Sequence, residues 1–237
     1  MKTRLIPFFT ALIALLLAAT PATASEAALE GAEPGEWTMD YAAALELSEE
    51  KDLPLLLNFT GSDWCSWCKL MDNQVFAEEE WKTWADDNLV LVTLDFPRDD
   101  SIVPEKYRDR NQSLAEQFGV RGYPTYVLLD SDGETVVAQL GAGREKTPES
   151  FIDEIEEALI LSPSNIEAKI AELGEEKGAE LQAALDRRDK TVEELEAWIE
   201  TEPEQTPENQ AKFEKYLESI QEANETIQSF FASAESA

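Results

Sequence analysis

The sequence predicts an α/β sandwich over residues 37–162, followed by a small all-helical appendage over 163–237. Three observations carry this reading. Between Trp37 and Leu161, short apolar runs alternate with stretches of helical period. Two of those runs, Pro54–Thr60 and Leu89–Phe96, are almost continuously apolar, as strands covered on both faces are. After Pro163 the strand signal stops, while apolar residues keep recurring at helical spacing.

The elements follow in chain order. Lys2 and Arg4, a mostly apolar run from Leu5 to Ala19, and the small residues Ala22, Thr23 and Ala24 before Ser25 describe a secretory signal peptide over 1–24, cleaved near Ala24. The alternative is an uncleaved anchor, but the apolar run falls short of the ~20 residues needed to span a bilayer. The mature chain is therefore expected in the periplasm or otherwise exported, where disulfides persist. Residues 25–36 read as a linker. Asp40 caps a helix through about Glu50, with Tyr41, Ala44, Leu45 and Ser48 on its inward side. After the first buried strand, a helix with a possible break is expected from Cys65 to Ala85, ahead of the strand Leu89–Phe96. Gln112–Phe118 reads as helix and stops at Gly119. Thr125–Leu129 and Thr135–Leu140 form a hairpin through Asp130-Ser131-Asp132-Gly133, whose glycine supplies the positive φ. Thr147-Pro148 starts a helix with Phe151, Ile152, Ile155 and Leu159 on one face.

In the appendage, Ser164 with Glu167 and Thr191 with Glu194 match capping boxes, Thr206-Pro207 is a further helix start, and Gly174 is a helix stop. Three to five helices are expected, with a softer joint around Glu202–Pro207. Packing on one another and on the sandwich is the plainer use of their apolar faces, and a partner-binding or dimerising arm the sharper one.

Composition narrows the function. The 237 residues carry 19 Lys and Arg against 50 Asp and Glu, net −31, with no histidine. Loss of Lys2 and Arg4 with the leader makes the mature chain more acidic still. Such a surface repels phosphate backbones and anionic bilayers, so neither nucleic-acid nor membrane-surface binding is expected. The missing histidine removes Ser-His-Asp and Cys-His nucleophile sites and His-bearing metal sites, and two cysteines alone build neither a structural zinc site nor an iron–sulfur cluster.

The chemistry sits in Trp64-Cys65-Ser66-Trp67-Cys68-Lys69, a C-x-x-C placed after a buried strand and at the head of a helix. Two intervening residues bring the sulfurs within bonding distance across one turn. The free N–H groups of that turn, with the helix dipole, stabilise a thiolate on Cys65, and thiol pKa values in such settings fall to about 3.5–7.5 from about 8.5. Cys68 lies deeper and can resolve a mixed disulfide by attacking the Cys65 sulfur. The alternatives are an inert stabilising disulfide, although so small a loop constrains the unfolded chain little, and a metal site lacking further ligands. Gly122-Tyr123-Pro124-Thr125 stands just before a strand, where proline marks a strand's first residue or a cis bond in a tight turn.

Leu57 through Lys69, the Gly-Tyr-Pro-Thr segment and the Asp-Ser-Asp-Gly hairpin together resemble the thioredoxin superfamily, and within it the exported bacterial thioredoxin-like proteins with a W-C-x-W-C-K site. The resemblance covers about residues 35–162. It implies a thioredoxin-like fold with a central mixed sheet flanked by helices, Cys65 as the attacking cysteine, Cys68 as the resolving one, and Pro124 as a cis-proline beside the disulfide. Trp64, Trp67, Tyr123 and Pro124 would contact substrate, the Tyr123 backbone by strand addition. The implied function is exported thiol–disulfide oxidation or reduction on protein substrates, with an upstream redox partner and no cofactor beyond the Cys65–Cys68 disulfide. The rival is a non-catalytic binding module stapled by that disulfide.

Three departures from the family pattern stand out. The buried aspartate that assists proton transfer in thioredoxins is matched by Asn58, one residue further from the first cysteine, while Asp63 falls on the loop. The dipeptide between the cysteines is Ser66-Trp67. Fifty-nine positions separate Cys65 from Pro124, with Pro97–Asn111 as the expected insertion. Arg98–Arg121 balances five basic residues (Arg98, Lys106, Arg108, Arg110, Arg121) against five acidic ones, and reads either as a substrate-contacting rim or as a solvated loop. Asp130-Ser-Asp-Gly-Glu134 faintly matches a calcium loop but suits a hairpin turn better, and Asn111-Gln-Ser113 fits a glycosylation triplet.

Overall fold

The computed structural model describes residues 27–231; the leader read at 1–24 lies outside them. In chain order the elements are β1 (Trp37–Thr38), α1 (Tyr41–Lys51), β2 (Leu55–Thr60), α2 (Ser66–Met71), a π-helical stretch (Asp72–Phe76), α3 (Glu79–Asn88), β3 (Val90–Asp95), α4 (Glu105–Gln117), β4 (Thr125–Leu129), β5 (Val136–Gly141), α5 (Pro148–Leu159), α6 (Pro163–Ile199) and α7 (Pro207–Phe231).

The strands form one sheet in the order β1-β3-β2-β4-β5. β1 and β2 run parallel to β3, while β4 runs antiparallel to both β2 and β5. β2 is buried along its whole length, so its two side-chain rows serve two different layers. Leu55, Leu57 and Phe59 join Val90, Val92 and Leu94 against Ala44 of α1 and Leu114 of α4. Leu56 joins Leu91, Tyr126 and Leu128 against Met71, Trp81, Phe151 and Ile155 from the helices on the other face. Each fully buried leucine contributes about 1.5–3 kcal/mol, so this central strand is the anchor of the sandwich. This is the thioredoxin-like mixed sheet flanked by helices.

Local signals placed several boundaries. Asp40 caps α1 by accepting the Ala43 N–H. Thr147 and Ser150 cap α5 reciprocally, with Pro148 in its first turn. Gly133 turns the β4–β5 hairpin at φ 68° and packs directly under the Leu45 side chain, where a Cβ would collide.

Other expectations need correction. The helix foreseen over 65–85 is three pieces, with the π-helical stretch and a break at Ala77–Glu78. α4 begins at Glu105, so the second half of the stretch read as an insertion is helix. The cap of α6 is Ser162, whose Oγ accepts the Asn165 N–H; Ser164 instead gives its N–H and hydroxyl to the buried Asp130 carboxylate. Thr191 starts no helix: it sits inside α6 and its hydroxyl donates to the Arg187 carbonyl. Gly174 interrupts α6 with φ 74°, and the helix resumes after it. The joint after α6 falls at 200–206, and Thr206 caps α7 through the Asn209 N–H. α6 and α7 pack on each other around Leu181, Leu185 and Ile227.

Candidate active site

β2 delivers the chain into a tight turn at Gly61–Trp64, where the Gly61 carbonyl accepts the N–H groups of Trp64 and Cys65. Ser62 fastens this turn to the end of β3, giving its N–H and hydroxyl to the Asp95 carboxylate at 2.9 and 2.5 Å. Cys65 is the N-cap residue of α2, and its Sγ accepts the Cys68 N–H at 3.1 Å. The Cys68 amide of the first turn thus points at this sulfur, the arrangement that favours negative charge on it. Cys65 and Cys68 are joined as a disulfide, with their Cα atoms 5.3 Å apart.

Exposure corrects one part of the sequence picture. Cys65 is 4% exposed and Cys68 1%, so both cysteines are buried, the outer one as well as the inner. The exposed surface belongs to its neighbours Trp64 (37%) and Trp67 (40%).

Because β2 and β4 pair antiparallel, with Phe59 opposite Thr125, the residue before β4 lies at the sheet end from which the cysteine turn departs. That residue is Pro124, buried behind a cis Tyr123–Pro124 bond. Tyr123 meets the Trp64 ring edge-on at 5.8 Å and lies 5.1 Å from Phe96. Trp64 is held further by donating Nε1–H to the Phe96 carbonyl at 2.9 Å. Trp64, the cysteines, Tyr123 and Pro124 therefore share one end of the sheet. Trp67 stands on the other flank, under the Arg144 guanidinium at 5.4 Å.

Beneath this end, a cavity of about 510 Å³ opens between the sheet and the π-helical stretch, lined among others by Asn58, Thr60, Thr93, Asp72 and Asp95. The Asn58 Oδ1 is buried and has no hydrogen-bond partner. Asp72 follows Cys68 by one turn, its N–H bonded to the Cys68 carbonyl, which sets it on the same helical face. Burial, and the charge of Asp95 behind it, push the Asp72 carboxyl up to about 6, with Lys69 pulling the other way. Asp72 and Asp95 escaped the sequence reading. The i+4 spacing from Cys68 was a signal for the first, whereas their meeting in one cavity is tertiary.

Most cations of the neutral stretch 98–121 serve the fold. Lys106 pairs with Glu30, Arg108 donates to the Val103 carbonyl, and Arg110 donates to the Met39 carbonyl, so three of its five cations work within the structure. Arg98 reaches the site, its guanidinium 5.4 Å over the Trp64 ring. Asp63 accepts the N–H groups of Arg98 and Asp99, which hold its carboxyl below the usual range. Asn111 is buried, donating to the Asp95 carbonyl, and is no accessible glycosylation acceptor. Asp132 binds its own turn at Glu134 and Thr135, and among the described residues no cluster of three metal-ligating side chains occurs.

Residues 36–131 match the model of a thioredoxin-like family. Over 101 residues the chain is 42% identical to a disulfide bond reductase, DsbH, of Chlamydia pneumoniae, covering 43% of this chain and 60% of that protein. It is 28% identical over 144 residues to the thioredoxin-related protein DsbJ of the same organism, covering 61% of this chain and 41% of that one. The chain thus spans about half the length of these curated relatives. A solved structure of a DsbH oxidoreductase aligns with 33% identity over 62% of this chain and 94% of that one, at a TM-score of 0.49.

Proposed function

Because this chain belongs to the thioredoxin superfamily, we propose that it is an exported thiol–disulfide oxidoreductase that exchanges disulfides with protein substrates through Cys65 and Cys68. The observation that carries the reading is the disulfide at the first turn of α2, with the Cys68 N–H aimed at the Cys65 sulfur. In the reducing direction, the Cys65 thiolate attacks one sulfur of a substrate disulfide and expels the other as a thiolate. The Cys68 thiolate then attacks the Cys65 sulfur, expelling the second substrate sulfur. Two electrons pass from the cysteine pair to the substrate, and each released thiolate takes up a proton. Asp72, one turn beyond Cys68 and with its carboxyl pushed up to about 6, is the acceptor this reading assigns to the proton that Cys68 gives up.

No bound cofactor takes part; the cysteine pair is the redox centre. An upstream redox partner restores it, and the leader read at 1–24 carries the chain out of the cytoplasm. Direction follows from the reduction potential: a value near about −270 mV makes the protein a reductant and one near about −120 mV an oxidant. Equilibration against a glutathione series measures it.

The low exposure of Cys65 favours a second reading, a binding platform stapled by an inert disulfide. Alkylation of the reduced protein separates the two. The oxidoreductase shows rapid modification of Cys65 below pH 7 and a protected Cys68, and equally slow modification of both overturns it.

A further inference from the structure

We infer that Arg98 and Arg144 select protein substrates with acidic side chains flanking the reactive cysteine. The inference deepens the oxidoreductase reading and rests on it. Both exposed indoles beside the disulfide carry a guanidinium over the ring, Arg98 on Trp64 and Arg144 on Trp67, each at 5.4 Å. The two arginines arrive from unrelated loops, one after β3 and one after β5. Both are exposed, and neither is ion-paired to a carboxylate among the described residues.

The neighbouring acids Asp63 and Asp99 keep their charge, and Asp63 feels that of Arg98, but their oxygens accept other donors and neither closes an ion pair with the Arg98 guanidinium. Asp63 accepts the loop N–H groups of Arg98 and Asp99, and Asp99 accepts from Ser101. A guanidinium stacked on an indole keeps its N–H edge free for a carboxylate and surrenders little further side-chain freedom on binding it. Of the net charge of −31, the part lying beyond a Debye length of about 8 Å is screened at physiological ionic strength. A docked segment therefore meets a guanidinium beside each indole next to the disulfide. Lys69, one residue past Cys68, adds a third positive group, its Nζ resting on the Asp63 carbonyl.

The test uses the full mature chain, reduced and freed of reductant. It is mixed in single turnover with three cystine-linked peptide dimers that differ only in carrying Glu, Gln or Lys on either side of the cysteine. Each rate is divided by the same peptide's rate with dithiothreitol, which removes intrinsic differences in disulfide reactivity. The expected order is Glu, then Gln, then Lys. The double variant Arg98→Gln, Arg144→Gln should lower the Glu-to-Gln ratio roughly tenfold, the size expected for two exposed charge contacts. In the unaltered protein, 0.5 M salt should compress the same ratio, since the Debye length then shrinks to about 4 Å. A Glu-to-Gln ratio near one in the unaltered protein, or one unmoved by the double variant, overturns the inference and leaves the oxidoreductase reading standing. Failure of all three dimers to react with the reduced protein, together with failure of the three reduced peptides to react with the oxidised protein, overturns both.

Discussion

Replacing Asp72 by Asn should remove a pH-dependent weakness from the native state. The carboxyl titrates near 3.8 in the unfolded chain and at about 6 in the fold, raised by burial and by Asp95, with Lys69 offsetting part of the effect. Tyr126, packed on the same side, feels the Asp72 charge as well. Between those two pH values the native state keeps a proton that the unfolded chain has released. Stability therefore falls as pH rises from about 4 to about 6, and stays low above that. At about 1.4 kcal/mol per pH unit, the rise from 3.8 to about 6 sets a ceiling near 3 kcal/mol, which water at the cavity mouth reduces. Urea unfolding of the oxidised parent and of Asp72→Asn, from pH 3.5 to 8, reads this directly. The stability difference should grow in favour of the variant across the window and then level off. A difference that is constant with pH would show that Asp72 titrates alike in both states, and the cavity argument would fall.

Cys68→Ser should accumulate a mixed disulfide with substrate at Cys65, seen as a mass adduct removed by dithiothreitol, while Cys65→Ser forms none. An adduct with Cys65→Ser instead would reverse the two roles. Asp130→Ala should cost about 2–4 kcal/mol in urea unfolding, because it strands the Ser164 and Ser131 donors against a buried position. A loss within 0.5 kcal/mol would remove Asp130 as the tie between hairpin and α6. Asn58→Leu should be neutral or stabilising by up to about 1 kcal/mol, since it deletes an acceptor that has no partner. Marked destabilisation would show that the Oδ1 is satisfied after all.

The parts of this molecule legible in the sequence are those fixed by neighbours along the chain. Thr125–Leu129 runs apolar after its first residue and is bounded by a proline and a turn, and its strand ends where the pattern does. Cys65 and Cys68 announce themselves by spacing, and Asp40 and Thr147 cap the helices they precede. Where two local signals competed, tertiary context chose. Ser162 and Ser164 both flank Pro163, but proline suits the first turn, which makes Ser162 the cap and frees Ser164 for Asp130. α4 opens with the polar residues of 105–113, only Tyr107 and Asn111 of which are buried, so its first half lacks the apolar period that would reveal a helix. Arg144 over Trp67 and Asp72 near Asp95 join residues far apart in sequence, and nothing in either segment names its partner.

β4 begins beside Pro124 and ends beside Asp130, whose carboxylate receives the first turn of α6. Five residues of extended chain separate the two, about 17 Å. The long helical pair is therefore rooted at the pole opposite the reactive sulfurs. A protein gripping the root of that pair and another passing electrons through Cys65 would meet different ends of the same strand, and both could be engaged at once.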